Sequence, residues 1–371
     1  MIPVNRPLIT EEDIAAVSNS LRDTLISGET PPVRLLEEKL SEFLGVENTV
    51  MVSSGTTAID LSVHALDLAS GDEVVAPTFT IISTVSQALR QGLKVKLVDA
   101  DARTWSMDAD QTVSAINDQT KLVIPVHIYG LACDLDPIIT AARRVGAFVL
   151  EDAAEALGVS YKGNQAGSIG DAGVFSFYAN KVITGGEGGA ISSSNKEFVE
   201  KVRYTRNLCF KPEERFVHTD LGWNARLNGL SATLINSQLQ RISLILKRKN
   251  ELAARYRDAL AGLPEVALIP ESTEYSTNAN WVFPILLTEA SPFNAAELQE
   301  KLRASGVDTR RFFCPIHLQP LVRRFNIAAI GDYPVSENLW RNGLYLPCGV
   351  GTLDSEVEQV VEALLSAIKG A

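Results

Sequence analysis

The sequence predicts an α/β protein with a mostly parallel central sheet in a large domain, followed by a smaller α/β domain. In the first half of the chain, short runs of apolar and β-branched residues alternate with helical patterns, which is typical of βαβ units. The strand candidates are residues 74–76, 95–98, 122–126, 148–150 and 174–177. With 371 residues and 46% hydrophobic content, the chain can bury a large core and has room for two or three domains.

The later part of the chain has a different pattern. Residues 231–263 are typical of long helical material, which Pro264 ends because proline cannot continue a helix. A further strand candidate covers residues 281–287, and an amphipathic helix is predicted over residues 357–368. We therefore predict a large domain over residues 1–240 and a smaller C-terminal domain over residues 241–371.

A phosphate site is predicted near the start of the sheet. A short strand candidate at residues 50–53 leads into a helical pattern, so that Gly55 and Thr56 fall at a helix N-terminus. Free backbone N–H groups and the positive end of the helix dipole favour a phosphate there, and the hydroxyls of Thr56 and Ser176 could add donors. Taken alone, the segment could equally be an ordinary capped helix, because serine and threonine are preferred caps.

Lys181 and Asp152 are the candidate catalytic residues. Each follows an apolar run, and the carboxyl ends of parallel strands meet at the edge of the sheet where ligands bind. A lysine amine can form a Schiff base with the aldehyde of pyridoxal 5'-phosphate (PLP), while a carboxylate keeps the pyridine nitrogen protonated. Glycines after Lys181, at 185, 186, 188 and 189, permit close backbone approach. Neither residue alone is informative, so the prediction rests on their combination with the phosphate site.

Charge and composition disfavour several classes of function. A net charge of −11 argues against nonspecific nucleic-acid binding, which normally needs a basic face. No apolar run is long enough to span a membrane, and the N-terminus lacks the basic and apolar segments of a signal peptide, so a cytoplasmic enzyme is expected. The four scattered cysteines have no metal-ligand spacing, which indicates reduced thiols and no metal site.

The chain resembles the DegT/DnrJ/StrS-type nucleotide-sugar aminotransferases over nearly its whole length. Within this family it is most similar to the GDP-perosamine synthases, because of residues 104–108, Glu155 where many relatives carry glutamine, and the pair Asn180 and Lys181. The segments that carry the wider resemblance are residues 2–7, 54–58, 71–77, 126–130, 151–156, 175–181 and 222–226.

The resemblance implies the PLP-dependent aspartate aminotransferase fold (fold type I) and a homodimer with active sites shared between subunits. By the family pattern, Lys181 binds the cofactor and moves the proton, Asp152 pairs with the ring nitrogen, and Glu155 lies near the ring hydroxyl. It also implies that Asn224 reaches the phosphate from the neighbouring subunit, beside Gly55, Thr56 and Ser176. L-glutamate is the implied amino donor, pyridoxamine phosphate (PMP) the intermediate cofactor form, and C4 of GDP-4-keto-6-deoxymannose the implied acceptor.

One cofactor contact departs from the family pattern. Relatives usually place an aromatic residue over the cofactor at the position of Ile81. Ile81 could pack apolar carbon on the ring instead, or Phe79 could compensate.

Substrate-binding candidates lie in a basic stretch. Arg310 and Arg311 could meet a diphosphate, with His317 nearby, because guanidinium groups present forked donors. His127 and His64 are predicted to be structural.

Two alternatives stay open at this point. Another 4-keto or 3-keto sugar linked to dTDP or UDP would use the same lysine, and a non-catalytic PLP-binding regulatory protein would keep the cofactor residues. A sugar dehydratase of the same fold is disfavoured, because those relatives replace the lysine with histidine.

Overall fold

A computed structural model describes residues 1–325, 327 and 331–370. Its main sheet has seven strands in the order β1-β9-β8-β5-β4-β2-β3, and only β9 runs against the others. These strands are β1 (Asn48–Val52), β2 (Glu73–Pro77), β3 (Lys94–Val98), β4 (Thr120–Val123), β5 (Phe148–Asp152), β8 (Ala172–Ser176) and β9 (Gly189–Ser193). The predicted α/β class with a mostly parallel sheet is confirmed.

The other strands form two smaller sheets. The C-terminal part of the chain forms an antiparallel sheet in the order β10-β12-β14-β13, and a three-stranded sheet has the order β11-β6-β7. These strands are β6 (Ser160–Tyr161), β7 (Asn164–Gln165), β10 (Val266–Leu268), β11 (Ser276–Thr277), β12 (Phe283–Leu287), β13 (Arg310–Arg311) and β14 (Gly343–Leu346).

Helices pack on these sheets and connect their strands. They are α1 (Glu11–Arg22), α2 (Pro31–Leu44), α3 (Gly55–Ala65), α4 (Ser83–Arg90), α5 (Ala109–Ala115), α6 (Leu135–Val145), α7 (Lys196–Arg206), α8 (Gly229–Leu239), α9 (Ile242–Leu260), α10 (Ala295–Ala304), α11 (Val322–Phe325), α12 (Pro334–Asn342) and α13 (Asp354–Lys369). Two short 3-10 turns cover Ile128–Gly130 and Ile316–Leu318.

The main sheet is buried on both faces, which explains the continuous apolar runs in the sequence. In β2, Val74 and Ala76 join the apolar cluster on one face, and Val75 joins the cluster on the other. The same alternation separates Val174 from Phe175 in β8. A parallel sheet covered by helices on both faces has this pattern, because successive side chains point to opposite sides.

Three predicted elements have different bounds. β4 begins at Thr120 and ends at Val123, so residues 124–126 leave the strand before the site. The predicted helical stretch divides into α8 and α9, and Arg241 at the break donates to Asp13 of α1, which is fully buried, at 2.8 Å. β12 begins at Phe283 rather than at residue 281, which leaves Trp281 outside the ladder.

The division at residue 240 stays a prediction. A separate apolar cluster, which includes Leu252, Phe283 and Leu364, lies in the C-terminal part of the chain. The N-terminus also contacts that part, since the Ile2 N–H donates to the Gly306 carbonyl at 2.7 Å.

Candidate active site

One cavity of about 360 Å³ lies where the carboxyl ends of β5 and β8 meet the N-terminus of α3. Asp152 is the last residue of β5, Ser176 is the last residue of β8, and Gly55 is the first residue of α3. All three line the cavity, together with Thr56, Glu155 and Lys181. The structure therefore brings the predicted cofactor residues together at the sheet edge where ligands bind in open α/β folds.

Lys181 is positioned by a tight loop between β8 and β9. The Phe177 N–H donates to the Gly188 carbonyl at 2.9 Å, and the Gly185 N–H donates back to the Phe177 carbonyl at 3.0 Å. Gly186 and Gly188 have φ values of 79° and 150°, which side chains rarely tolerate. Burial lowers the pKa of Lys181, and the charges of Glu155 and Asp152 oppose that effect. The glycine-rich loop thus delivers the amine into the cavity.

Asp152 is held by hydrogen bonds from two directions. Its side chain accepts from the Thr84 hydroxyl at 2.9 Å and from the Ala154 N–H at 3.2 Å. Thr84 is itself within 2.9 Å of the Thr80 hydroxyl, and both threonines are buried. Burial raises the pKa of Asp152, while these donors and the charge of Lys181 lower it. The hydrogen bonds fix the orientation of the carboxylate.

Glu155 is the second buried acid of the cavity. Its carboxylate accepts from the Tyr129 N–H at 2.9 Å, and Tyr129 takes a left-handed φ of 51° there. Burial raises the pKa of Glu155 to about 7, an effect that the charge of Lys181 opposes and that of Asp152 reinforces. Glu155 can therefore change its protonation state near neutral pH.

An anion cradle lies at the N-terminus of α3, in the same cavity as the acids. Ser54 caps α3 by accepting from the Thr57 N–H at 3.1 Å. The N–H groups of Gly55 and Thr56 lie in the first turn, where helix geometry offers them no partner within the helix. A Cβ atom added to Gly55 would lie 2.9 Å from the Ser176 Cβ, so glycine permits the close approach of α3 to β8. The Thr56 and Ser83 hydroxyls lie 2.8 Å apart at the rim. These groups suit a phosphate.

The donor set fits PLP. A cradle for phosphate, a buried carboxylate and a lysine amine open into the same cavity, and each matches one functional group of that cofactor. In addition, the buried Oδ1 of Asn180, which also lines the cavity, has no hydrogen-bond partner among the described residues.

Of the remaining residues predicted to contact the cofactor, only Ile81 lines the cavity. Ile81 lines the cavity with 47% of its surface exposed, so its side chain is available to pack on a ring. Phe79 does not line the cavity, because it is buried among Tyr129, Phe312 and Phe313. Asn224 is exposed and lies outside the cavity of its own chain.

The three predicted substrate residues do not come together. Arg310 lines the cavity, whereas Arg311, the next residue in β13, lies near the ring of Trp340 at 5.9 Å from its centroid. Neighbouring residues of a strand point to opposite sides, which explains the separation. His317 lies 2.7 Å from the Thr78 hydroxyl and packs on Tyr333, also outside the cavity.

His127 supports the site from outside the cavity. Its Nδ1 accepts from the Cys133 N–H at 3.2 Å, which places the ring proton on Nε2, 2.9 Å from Glu151. The His127 N–H donates to the Asp152 carbonyl at 3.1 Å. This geometry agrees with the expected structural role.

Several cavity residues were missed by sequence reasoning. Trp281, Phe313 and Tyr345 come from the C-terminal part of the chain, and no spacing relative to Lys181 indicated that they would meet it. Thr80 also lines the cavity, and behind it Thr84 donates to Asp152; the helical spacing of the two threonines does not reveal that hydrogen bond.

Two absences hold for the part of the chain that the structure describes. Among those residues, no group of three or more histidine, cysteine, aspartate or glutamate side chains could hold a metal ion. Their helices also include none with the length and apolar character needed to cross a membrane.

Comparison with known proteins identifies the family. The model of the DegT/DnrJ/EryC1/StrS aminotransferase family matches residues 7–365. GDP-perosamine synthase of Caulobacter vibrioides is 33% identical over 328 residues, which cover 88% of each chain. GDP-perosamine synthase of Vibrio cholerae is 29% identical over 98% of each chain.

Solved structures agree with this assignment. A protein of Streptococcus pneumoniae described as a sugar aminotransferase has been solved with PLP and with PMP. Its PLP form is 25% identical and covers 100% of this chain and 99% of its own, with a TM-score of 0.92. The chain therefore belongs to the DegT/DnrJ/EryC1/StrS aminotransferase family and is a PLP-dependent sugar aminotransferase.

Proposed function

We propose that this enzyme moves an amino group from L-glutamate to C4 of GDP-4-keto-6-deoxymannose. The observation that carries the proposal is the placement of the Lys181 amine in one cavity with Asp152, Glu155 and the phosphate cradle. The choice of acceptor is supported by the similarity to the GDP-perosamine synthase of Caulobacter vibrioides.

When bound, PLP supplies an aldehyde that carries the amino group between two half reactions and a ring that accepts an electron pair. Lys181 would take a proton from the α-carbon of L-glutamate in the first half reaction and deliver one to the sugar carbon in the second. The lowered pKa of Lys181 suits this role, because a neutral amine can accept a proton near neutral pH.

Asp152 would keep the ring nitrogen protonated in both half reactions. Its two hydrogen bonds aim the carboxylate, and the charge of Lys181 lowers the pKa of Asp152 and so favours its ionised form. Glu155 would lie near the ring hydroxyl, where its pKa of about 7 allows it to share a proton. Gly55, Thr56 and Ser176 would hold the phosphate, and Ile81 would pack on the ring.

The acceptor sugar would enter from the side of the cavity that the C-terminal part lines. Arg310, Phe313 and Tyr345 lie there, so a guanidinium, an aromatic face and a hydroxyl are available to a nucleotide sugar. Burial raises the pKa of Tyr345 to about 12, against the opposing effect of Arg310, so the hydroxyl stays neutral and can donate. Arg310 would meet the negative charge of a substrate.

The active enzyme would be a homodimer in which each subunit completes the other's site. Asn224 lies outside its own cavity, and the exposed apolar side chains of Phe216, Leu221 and Trp223 precede it. We infer that these side chains form one apolar patch at the subunit interface, because contiguous exposed apolar surface is typical of an interaction surface. A second copy would cover this patch and bring its Asn224 to the phosphate cradle.

The test follows the visible absorption of the purified enzyme with bound PLP. Adding L-glutamate should remove the band of the lysine-linked cofactor, and adding GDP-4-keto-6-deoxymannose should restore it. Lys181→Ala serves as the control and should show neither change. Loss of the band with L-glutamate but no return with this sugar would reject the proposed acceptor, and 4-keto and 3-keto sugars linked to dTDP or UDP would then be tested in the same way.

A further inference from the structure

Trp281 is the aromatic residue nearest to the catalytic amine. The Lys181 Nζ lies 3.9 Å from the centroid of the indole ring. Trp281 is only 3% exposed and Lys181 is half-buried, so this contact is partly shielded from bulk water. An ammonium over an aromatic face is attracted by the ring quadrupole, and the attraction is strongest for tryptophan and in desolvated sites.

The position of Trp281 is fixed at both ends of the residue. Its indole N–H donates to the carbonyl of Asn180, the residue before Lys181, at 2.9 Å. Its own carbonyl accepts from the amine of Lys249 at 2.9 Å. The ring also packs near Tyr129 and Tyr345, with centroids 6.2 Å away in each case. An indole held in this way is a rigid surface rather than a mobile side chain.

We propose that Trp281 is a positioning residue for Lys181. Its indole face holds the ammonium group of Lys181 whenever the amine is not joined to the cofactor. The inference rests on the proposed role of Lys181 and adds to it. In each half reaction the released lysine must keep a proton over the cavity until that proton is needed. The attraction of the tryptophan face favours the ammonium form of Lys181. Burial acts in the opposite direction, because it lowers the pKa of Lys181.

Other charges also act on this amine. Asp152 and Glu155 stabilise the ammonium form, while Glu187, Arg310 and the Tyr345 hydroxyl line the same cavity. The acids attract the Lys181 amine from any direction, whereas the indole ring attracts it only over the ring face. Trp281 therefore adds orientation to an attraction that the acids already provide. Lys249 contributes through Trp281, since it anchors the carbonyl from behind the cavity wall.

The experiment uses protein labelled with ¹³C at the lysine Cε atoms and reconstituted with PMP, a form in which Lys181 is free. Lys181→Arg identifies the Lys181 signal by its disappearance. In the unmodified enzyme, the Cε protons should be shifted upfield by the indole ring current. Trp281→Phe should keep part of that shift, because it keeps an aromatic face. Trp281→Leu should remove it and move the titration midpoint of Lys181 to lower pH.

Kinetics provide the second readout. Trp281→Leu should slow the half reaction with L-glutamate roughly tenfold, with little change in the concentration of L-glutamate needed for half saturation. Trp340→Leu is the matched control, since it removes a tryptophan that lies beside Arg311, outside the cavity, and it should leave the Lys181 signal unchanged.

The outcomes separate this inference from the proposed function. An ordinary, unshifted Lys181 signal in the unmodified enzyme would overturn the positioning role, whether or not any variant folds. An unchanged titration midpoint in folded Trp281→Leu would also overturn it. Both results can occur while L-glutamate still converts the cofactor, whereas full activity of Lys181→Ala would contradict the proposed function itself.

Discussion

Two lysines contact Trp281, Lys249 fully buried and Lys181 half-buried, and they differ in what their amines face. Lys249, on α9, is 1% exposed and donates to the carbonyls of Trp281 and Cys348. The Lys181 amine opens into the cavity and faces Asp152 and Glu155. Burial lowers the pKa of both lysines. The proposed catalytic role of Lys181 therefore rests on more than burial: its amine also faces open space and two acids whose charges favour its protonated form.

Removing the Lys181 amine should have the largest effect. Lys181→Ala should slow the half reaction with L-glutamate by a factor on the order of 10⁴ or more, because in the proposed function the same amine attaches the cofactor and carries the proton. Single-turnover absorption measurements check this. A rate within tenfold of the unmodified enzyme would contradict the assignment.

Removing the charge that faces Lys181 should have the next largest effect. Asp152→Asn should slow the same half reaction by roughly 10²- to 10³-fold, because a neutral amide cannot keep the ring nitrogen protonated. The variant should still bind PLP through Lys181, and absorption of the bound cofactor checks this separately. An unchanged rate would show that Asp152 does not pair with the ring.

Removing the Lys249 amine should affect stability rather than chemistry. Lys249→Met would leave two buried carbonyl acceptors without a donor, so the free energy of unfolding should fall by about 2 to 3 kcal/mol. The half reaction should slow by less than about tenfold, since only the support of Trp281 is lost. Chemical denaturation measures the stability, with Lys39→Met in an exposed ion pair as the control that should change it little. Loss of activity without loss of stability would contradict the structural role of Lys249.

The protonation of Glu155 should make stability depend on pH. Its folded pKa of about 7 lies above the ordinary value of 4.5, so the folded protein binds the extra proton between these values and loses stability as pH rises through this window. Relative to Glu155→Gln, the cofactor-free enzyme should lose on the order of 2 kcal/mol between pH 4.5 and pH 7. Denaturation at several pH values measures the difference. A difference that does not vary with pH would contradict the raised pKa.

The smallest effect should come from the hydrogen bond that orients Asp152. Thr84→Val keeps the side-chain shape but removes the hydroxyl donor, so the half reaction should slow about tenfold. Thr84→Ser keeps a hydroxyl and should stay close to the unmodified rate. Equal rates for the valine and serine variants would show that this hydrogen bond has no part in orienting the carboxylate.

The cofactor half of the cavity could be predicted from the sequence because local signals mark it. Asp152 and Ser176 end apolar strands, Gly55 begins a helix, and Lys181 precedes a glycine-rich loop. Parallel strands place all of these at the same edge of the sheet, so the order of elements is enough to bring them together.

The substrate half could not be predicted in the same way. Trp281, Phe313 and Tyr345 reach the cavity through the packing of the C-terminal part of the chain, and none of the three carries a local signal of its own in the sequence. Arg310 and Arg311 look equivalent in the sequence, but the strand sends one into the cavity and the other toward Trp340. Long-range packing and strand register decided these positions.

The most direct test of the comparison asks which lysine carries the cofactor. Borohydride reduction of the enzyme with bound PLP would make the link permanent, and mass spectrometry of the digested protein would locate the phosphopyridoxyl group. We expect the label on Lys181 and none on Lys249. A label on Lys249, or a bound cofactor that reduction links to no lysine, would contradict the assignment of Lys181 as the catalytic residue.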